Sequence, residues 1–121
     1  MKQQIKIQKS VITENHLLLQ AESDVPVSKL EAVGRILVDS EHFAFIYLTE
    51  QNGEYTYIVL SEPFWPDLKK ALEANIPVFV ESQGDRLELM SFHEELQFLI
   101  ENIKGNSNYG EEMVTKVESA F

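Results

Sequence analysis

The feature that most constrains this chain is Asn52-Gly53, set between two apolar, strand-like runs at 43–50 and 54–60. A two-residue type I′ turn needs positive φ at both central positions, and Asn-Gly adopts them at little cost. The spacing predicts a β-hairpin in which Leu48 faces Tyr57 and Ile46 faces Val59 on one side of a sheet. Phe45, Tyr47, Ile58 and Leu60 take the other side. Because both sides are apolar, the hairpin is expected to be central and covered on both faces. A one-residue slip would exchange the faces, and Gly53 opposes it.

Other segments arrange themselves around this hairpin. Ile5 and Ile7 alternate with Gln4, Lys6 and Gln8, and Leu17 and Leu19 alternate with Leu18 and Gln20, with a turn at Glu14-Asn15. Val25-Pro26-Val27 is at most an edge segment, because Pro26 has no N–H for a ladder. Residues 35–39 form a short apolar strand closed by Asp39-Ser40. A helix is predicted over 61–74, with Pro63 or Pro66 near its first turn and Trp65, Leu68 and Leu72 on one stripe. Residues 76–81 and 86–90 read as a second hairpin around Gln83-Gly84-Asp85. Ser91-Phe92-His93-Glu94 matches a capping box. It opens a helix with Leu96, Leu99, Ile100 and Ile103 on one face, stopped by Gly105 in the αL position. A last helix carries Met113, Val114, Val117 and Phe121. Helices do not alternate with single strands, so the expected fold is α+β, an antiparallel or mixed sheet with about three helices packed against it. At 121 residues the chain fits a single globular domain, 1–121.

The charge balance excludes some functions. Twenty acidic and ten basic residues give a net charge of −10. Binding to a phosphate backbone requires a basic stripe, and only Lys69-Lys70 are adjacent, so no nucleic-acid ligand is expected. Residues 1–60 carry eight acidic and five basic side chains, and 61–121 carry twelve and five. The bland account of this acidity is solubility, and the functional one is a surface that meets a basic partner. No apolar run has the length of a membrane span, and residues 1–9 show no signal-peptide core. Cysteine is absent, which removes disulfides, thiol nucleophiles and thiolate metal sites. The expected location is the cytoplasm.

Catalytic chemistry is hard to find. His16, His42 and His93 stand far apart in sequence and outside any metal-binding spacing. His93 beside Glu94 and Glu95 could form a general-base arrangement, but a solvated first helical turn complementing the helix dipole explains it better. No phosphate-binding glycine loop and no nucleophile elbow occurs. No catalytic residue, cofactor or metal ligand is therefore assigned.

The candidate binding segment is Gly105-Asn106-Ser107-Asn108-Tyr109-Gly110, a polar loop with an amphipathic tyrosine directly before a helix. Free N–H groups at a helix start can hold an anion, although Glu111 and Glu112 would repel one. Its structural explanation is a connector, with Gly105 as C-cap, Asn108 as N-cap and Tyr109 covering a core edge. Phe64-Trp65-Pro66 could anchor an interface, but the spacing of Trp65 to Leu68 and Leu72 favours the core.

Two stretches carry a family resemblance. Leu37-Val38-Asp39-Ser40, followed by Phe43-Ala44-Phe45 and Tyr47, resembles the LVDS stretch of the YjbL-type family of Bacillus and Staphylococcus relatives. Residues 101–114 with Val117-Glu118 are similar to that family's NIxGNxNYGxExVxxVE signature, and Trp65 and residues 92–96 extend the likeness over most of the chain. The resemblance implies a cytosolic protein of Gram-positive bacteria. It directs attention to Gly105, Asn106, Asn108, Tyr109 and Gly110, and it brings no reaction, cofactor or catalytic residue with it.

Three roles remain for such a chain. The favoured one is a non-catalytic interaction or regulatory module whose partner is another protein, bound through the 105–110 loop and the acidic last helices. In that role Tyr109→Ala should abolish binding with little change in melting midpoint. The second is a small-molecule binder or small enzyme with a pocket between sheet and helices near His93. The third is a homo-oligomer joined through a strand edge or the Trp65 face.

Overall fold

The structure is a computed structural model that describes residues 3–24 and 26–121. Seven strands form one mixed sheet: β1 (Gln3–Ile12), β2 (Leu17–Ala21), β3 (Glu31–Asp39), β4 (Ala44–Gln51), β5 (Glu54–Ser61), β6 (Val78–Ser82) and β7 (Asp85–Glu88). Three helices accompany them: α1 (Trp65–Ala74), α2 (Phe92–Ile103) and α3 (Glu111–Ala120). The strand order is β3-β4-β5-β1-β2-β6-β7. Pairs β1/β5 and β2/β6 are parallel and the rest antiparallel, so the architecture is α+β with a mixed sheet.

The Asn52-Gly53 hairpin has the register that its turn dictates. Leu48 pairs with Tyr57, Ile46 with Val59, Tyr47 with Ile58 and Phe45 with Leu60. Asn52 and Gly53 have φ of 53° and 80°, the two positive values that a type I′ turn requires. Gln83 and Gly84 repeat the device in the β6–β7 hairpin, at 53° and 83°.

β1 keeps its apolar side on one face by means of a bulge. Ile5 and Ile7 point into the core, the register shifts between Ile7 and Lys9, and Ser10 and Ile12 then pair with the buried Leu19 and Leu17. One extra residue inverts the parity of a strand, so odd positions face the core before the bulge and even ones after it. Ser10 uses that placement to donate a hydrogen bond to Asp67 Oδ2 on α1, at 2.5 Å.

The core lies on one face. Ile5, Ile7, Leu17, Leu19, Ile36, Phe45, Tyr47, Ile58, Leu60, Val78 and Val80 meet Trp65, Leu68 and Ala71 of α1, Phe92, Leu96, Ile100 and Ile103 of α2, and Met113 and Val117 of α3. Trp65 is fully buried, tilted against Phe45 and Phe121, and its Nε1–H donates to the Leu60 carbonyl at 3.1 Å. It is a core residue, not an exposed anchor. The sheet curls until its edge strands β3 and β7 come into contact.

Several local expectations need correction. Val25, Met1 and Lys2 lie outside the described residues, and Pro26 leads into a 3-10 turn at Val27–Lys29, not an edge strand. The helix expected from residue 61 begins as a 3-10 turn at Glu62–Phe64, and α1 starts at Trp65. Ser91 makes no capping hydrogen bond, because it sits at φ 59° in the left-handed region. Glu95 instead accepts the Ile36 N–H of edge strand β3, at 3.4 Å. Asn108 does not cap α3. The residue before that helix is Gly110 at φ 90°, and Asn106 caps the short 3-10 turn Ser107–Tyr109.

Candidate functional site

The face of the hairpin opposite the core has no second layer among the described residues. In a β-ladder, residues paired directly across strands point to the same side. Three rows follow from the pairing. The first is Leu37 (β3), Ile46 (β4), Val59 (β5) and Lys6 (β1), the second Leu48, Tyr57 and Gln4, and the third Glu31, Glu50 and Tyr55. Ala44, Ser61 and Asp39 continue the face beyond the first row. Val33 lies in the irregular stretch of β3 opposite Leu48.

None of these apolar side chains belongs to the core cluster. The expectation that the hairpin is covered on both faces is therefore wrong for this side among the described residues. Ile46 and Leu48 are still only 8% and 6% exposed, screened by the side chains beside them on the same face. Those neighbours meet solvent: Val33, Leu37 and Tyr55 are 41%, 39% and 44% exposed. They are three of the five exposed large hydrophobic residues among those described, the others being Met90 and Phe98. Single apolar residues scattered over a surface mean little, but these three stand on one sheet face.

One end of this face is a shallow hollow of about 260 Å³ lined by Gln4, Lys6, Asp39, His42, Ala44, Ile46, Val59 and Ser61. Asp39 organises its rim. Its Oδ1 accepts the N–H groups of Glu41 and His42 at 3.2 Å each, and its Oδ2 lies 2.9 Å from His42 Nδ1. Burial works to raise the Asp39 pKa, but the bonds from His42 and Glu41 outweigh it and hold the carboxyl below its ordinary value. The His42 ring is thereby oriented, with its side chain 76% exposed. Lys6 has no ion-pair partner among the described residues. The arrangement presents an ammonium, an imidazole, an amide and a hydroxyl around an apolar floor, groups suited to recognition.

The candidate loop is built differently. Gly105 has φ 70° after α2, as expected, and its N–H donates to Glu118 Oε2 at 3.0 Å. The Asn106 N–H goes to Ile103, that of Tyr109 to Asn106 and that of Gly110 to Ser107, and the Asn108 N–H reaches Asn106 Oδ1 at 3.1 Å. These N–H groups are committed within the protein, and a carboxylate already occupies the loop's start. Tyr109 is half-buried against the core, while Asn108 is exposed. The outer sheet face lies on β1 and β3–β5, whereas the loop joins α2 to α3.

His93 is not the solvated residue that the sequence suggested. It is half-buried, and its Nε2 lies 2.5 Å from the Ile76 carbonyl, which fixes Nε2 as the donor. Its Nδ1 is buried without a hydrogen-bond partner among the described residues. Glu88 and Glu94 line the adjoining surface hollow of about 210 Å³. Among the described residues, no three His, Asp or Glu side chains stand together as a metal site, and no helix is long and apolar enough to cross a membrane.

Comparison with known proteins settles the lineage. A family described as one of unknown function, UPF0738, matches residues 5–121. The chain belongs to the UPF0738 family. It is 45% identical to the UPF0738 protein of Bacillus licheniformis over 121 residues, covering all of this chain and 99% of that one. It is 40% identical to YjbL of Bacillus subtilis over the same length and coverage. With the UPF0738 protein of Geobacillus kaustophilus it shares 40% identity over 100 residues, 83% of this chain and 80% of the relative. No solved structure matches. The YjbL-type resemblance is thus a family membership, and the function stays open at the family level.

Proposed function

We propose that this UPF0738 protein is a non-catalytic interaction module of the cytoplasm that meets another protein through the outer face of β3, β4, β5 and β1. The observation that carries this reading is the apolar face itself: Val33, Leu37, Ile46, Leu48, Tyr55, Tyr57 and Val59 stand on one side of the sheet, outside the core. An uncovered apolar face costs solubility, and a monomer gains nothing from keeping it. The net charge of −10 argues against nucleic acid as the partner and keeps such a chain dispersed. The lack of cysteine fits a reducing compartment. The hollow at Lys6 and His42 is smaller than the roughly 300–1,000 Å³ of enclosed ligand sites, so it reads as one end of a contact surface.

The outer face replaces the 105–110 loop as the favoured contact. Gly105, Asn106, Asn108, Tyr109 and Gly110 form the second candidate, supported by the exposure of Asn108 and the partial exposure of Tyr109. One experiment separates them. Affinity capture from a Bacillus lysate is run at moderate salt with three baits: wild type, Val33→Lys with Leu37→Lys, and Asn108→Ala with Tyr109→Ala. Both lysine positions are exposed enough to keep the fold. Loss of a captured protein from the lysine bait alone supports the sheet face. Loss from the loop bait alone moves the site to 105–110, and retention by both variants removes both surfaces.

A further inference from the structure

We propose that the hollow at one end of the outer face takes the C-terminal residue of the partner protein's chain, its carboxylate at Lys6 and an apolar side chain on the floor. The inference rests on the reading of that face as a protein-contact surface and names the group that the partner presents. The ladder gives each part of the hollow its place. The floor is Ala44 and Ile46 of β4 with Val59 of β5. One wall is Lys6 of β1, paired with Val59, and Gln4 stands two residues before it on the same face. Ser61, two residues beyond Val59, closes the end of the floor. The opposite wall is the His42–Asp39 pair at the β3–β4 turn.

The two walls suit different groups. Lys6 is exposed and carries no ion pair among the described residues, and the Ser61 hydroxyl makes no capping bond to the turn that follows it. The Lys6 ammonium, the Gln4 amide and this hydroxyl are all donors, and a carboxylate accepts from each of them. Asp39 opposes a carboxylate there only weakly, because β4 and β5 separate β3 from β1, with strands about 4.8 Å apart. At the other wall Asp39 is held ionised and only accepts, so His42 Nδ1 is the donor of their 2.9 Å bond. That leaves Nε2 of the neutral ring as an acceptor, suited to a peptide N–H.

The last residue of a chain offers all of these at once. It branches at a single carbon into a carboxylate, a side chain and an amide N–H. These match the donors of one wall, the apolar floor and the acceptor of the other. About 260 Å³ is the share of roughly nine waters, room for one residue. An aspartate or glutamate within a chain supplies the carboxylate but leaves Ala44, Ile46 and Val59 uncovered. A phosphate brings charge with no apolar body. Capture of a C-terminal carboxylate is also a recurring way for proteins to read a peptide.

Methyl NMR spectra of the full chain, titrated with four probes, test the assignment: N-acetyl-leucine, its amide, the α-amide of N-acetyl-glutamate, and inorganic phosphate. N-acetyl-leucine is expected to shift the Ala44, Ile46 and Val59 methyls with a dissociation constant on the order of 1 mM, the strength that so small a ligand allows. The other three should bind about tenfold more weakly or worse, and Lys6→Gln should weaken N-acetyl-leucine about tenfold through loss of a charge-assisted hydrogen bond. Lys6 is exposed, so the variant keeps its fold. An amide that binds as well as the acid, or a Lys6→Gln variant that binds like wild type, overturns the carboxylate at Lys6. Glutamate amide or phosphate binding as well as N-acetyl-leucine overturns the C-terminal residue, and no shift with any probe overturns the site. Lys6→Gln as a fourth bait in the capture experiment separates this proposal from the surface it sits on. A protein lost from the lysine bait but held fully by Lys6→Gln sinks the C-terminal anchor and leaves the contact surface standing.

Discussion

Tyr47 donates its hydroxyl proton to the Met90 carbonyl at 2.6 Å, across 43 positions of sequence. The Gly34 N–H lies near enough to the same hydroxyl to favour its ionised form. One buried oxygen therefore joins β4, edge strand β3 and the segment between β7 and α2, where the two edges of the curled sheet come into contact. Gly34 makes the approach at φ 78°, and a Cβ there would stand 3.6 Å from Ser91 Cβ and 3.7 Å from the Met90 oxygen. Tyr47→Phe leaves the Met90 carbonyl without this partner, a loss of about 1–2 kcal/mol. Thermal melts should show a lower midpoint, and an unchanged one would mean that the hydroxyl contributes nothing to closing the sheet.

The same burial sets an alkaline limit on stability. It pushes the Tyr47 hydroxyl from 10.0 up to about 12; the Gly34 N–H pulls against it, while the Glu88 and Glu95 charges add to the rise. In the unfolded chain this phenol loses its proton near 10, whereas the folded chain keeps it to about 12. The unfolded state then binds fewer protons, so stability falls as pH rises between those values. The contribution is complete below about pH 10, and its loss reaches roughly 3 kcal/mol. Denaturant titrations from neutral to strongly alkaline pH should show a shallower decline for Tyr47→Phe than for wild type. Both proteins share the other three tyrosines, so the difference isolates Tyr47.

Gly53→Val is expected to destabilise the protein by about 1–2 kcal/mol, because an L-residue pays for the left-handed conformation there. Open space surrounds the position, with no atom within 4 Å of a Cβ. The penalty is therefore one of backbone conformation without steric clash, and the β-branched side chain adds to it. A midpoint equal to that of wild type would contradict the type I′ turn.

This hairpin was the most legible part of the sequence because two independent signals agreed: turn chemistry demanded positive φ at Asn52 and Gly53, and the alternation of Phe45, Ile46, Tyr47 and Leu48 fixed the register. The helix stripes were legible for the same reason. Trp65 and Leu68, and Leu96, Ile100 and Ile103, recur at helical spacing and are buried. The bulge near Gln8 was not legible, since Gln8-Lys9 looks polar in either parity and only the pairing of Ser10 with Leu19 reveals the shift. Ser91 and Glu94 matched a capping box by residue type. The close approach of Gly34 to Met90 and Ser91 spans 56 and 57 positions of sequence, and no local pattern carries it.

The outer sheet face is hard to see in the sequence for a related reason. A strand that is apolar on both sides reads identically whether helices cover both faces or one face waits for a partner. Ile46 and Val59 gave the apolar pattern, but only the exposure of Val33, Leu37 and Tyr55 distinguishes the two cases, and exposure is a property of the assembled sheet. The 105–110 loop attracted attention through its family signature. In the structure much of that signature serves the connection itself, through the Gly105–Glu118 bond and the Asn106–Asn108 turn.

That loop offers the last test. Tyr109 packs half-buried against the core, so Tyr109→Ala should lower stability by about 1–3 kcal/mol through lost apolar burial. Asn106→Ala removes the Oδ1 that accepts the Asn108 N–H and should cost about 0.5–1.5 kcal/mol. The exposed Asn108 contributes its backbone N–H to the turn, and Asn108→Ala keeps that N–H, so its midpoint should stay close to wild type. Melting curves of the three variants in parallel decide what the loop is for. The order Tyr109, Asn106, Asn108 marks a structural connector. A Tyr109→Ala midpoint equal to wild type would show a ring that contributes nothing to the fold, and would return Tyr109 to the list of contact residues.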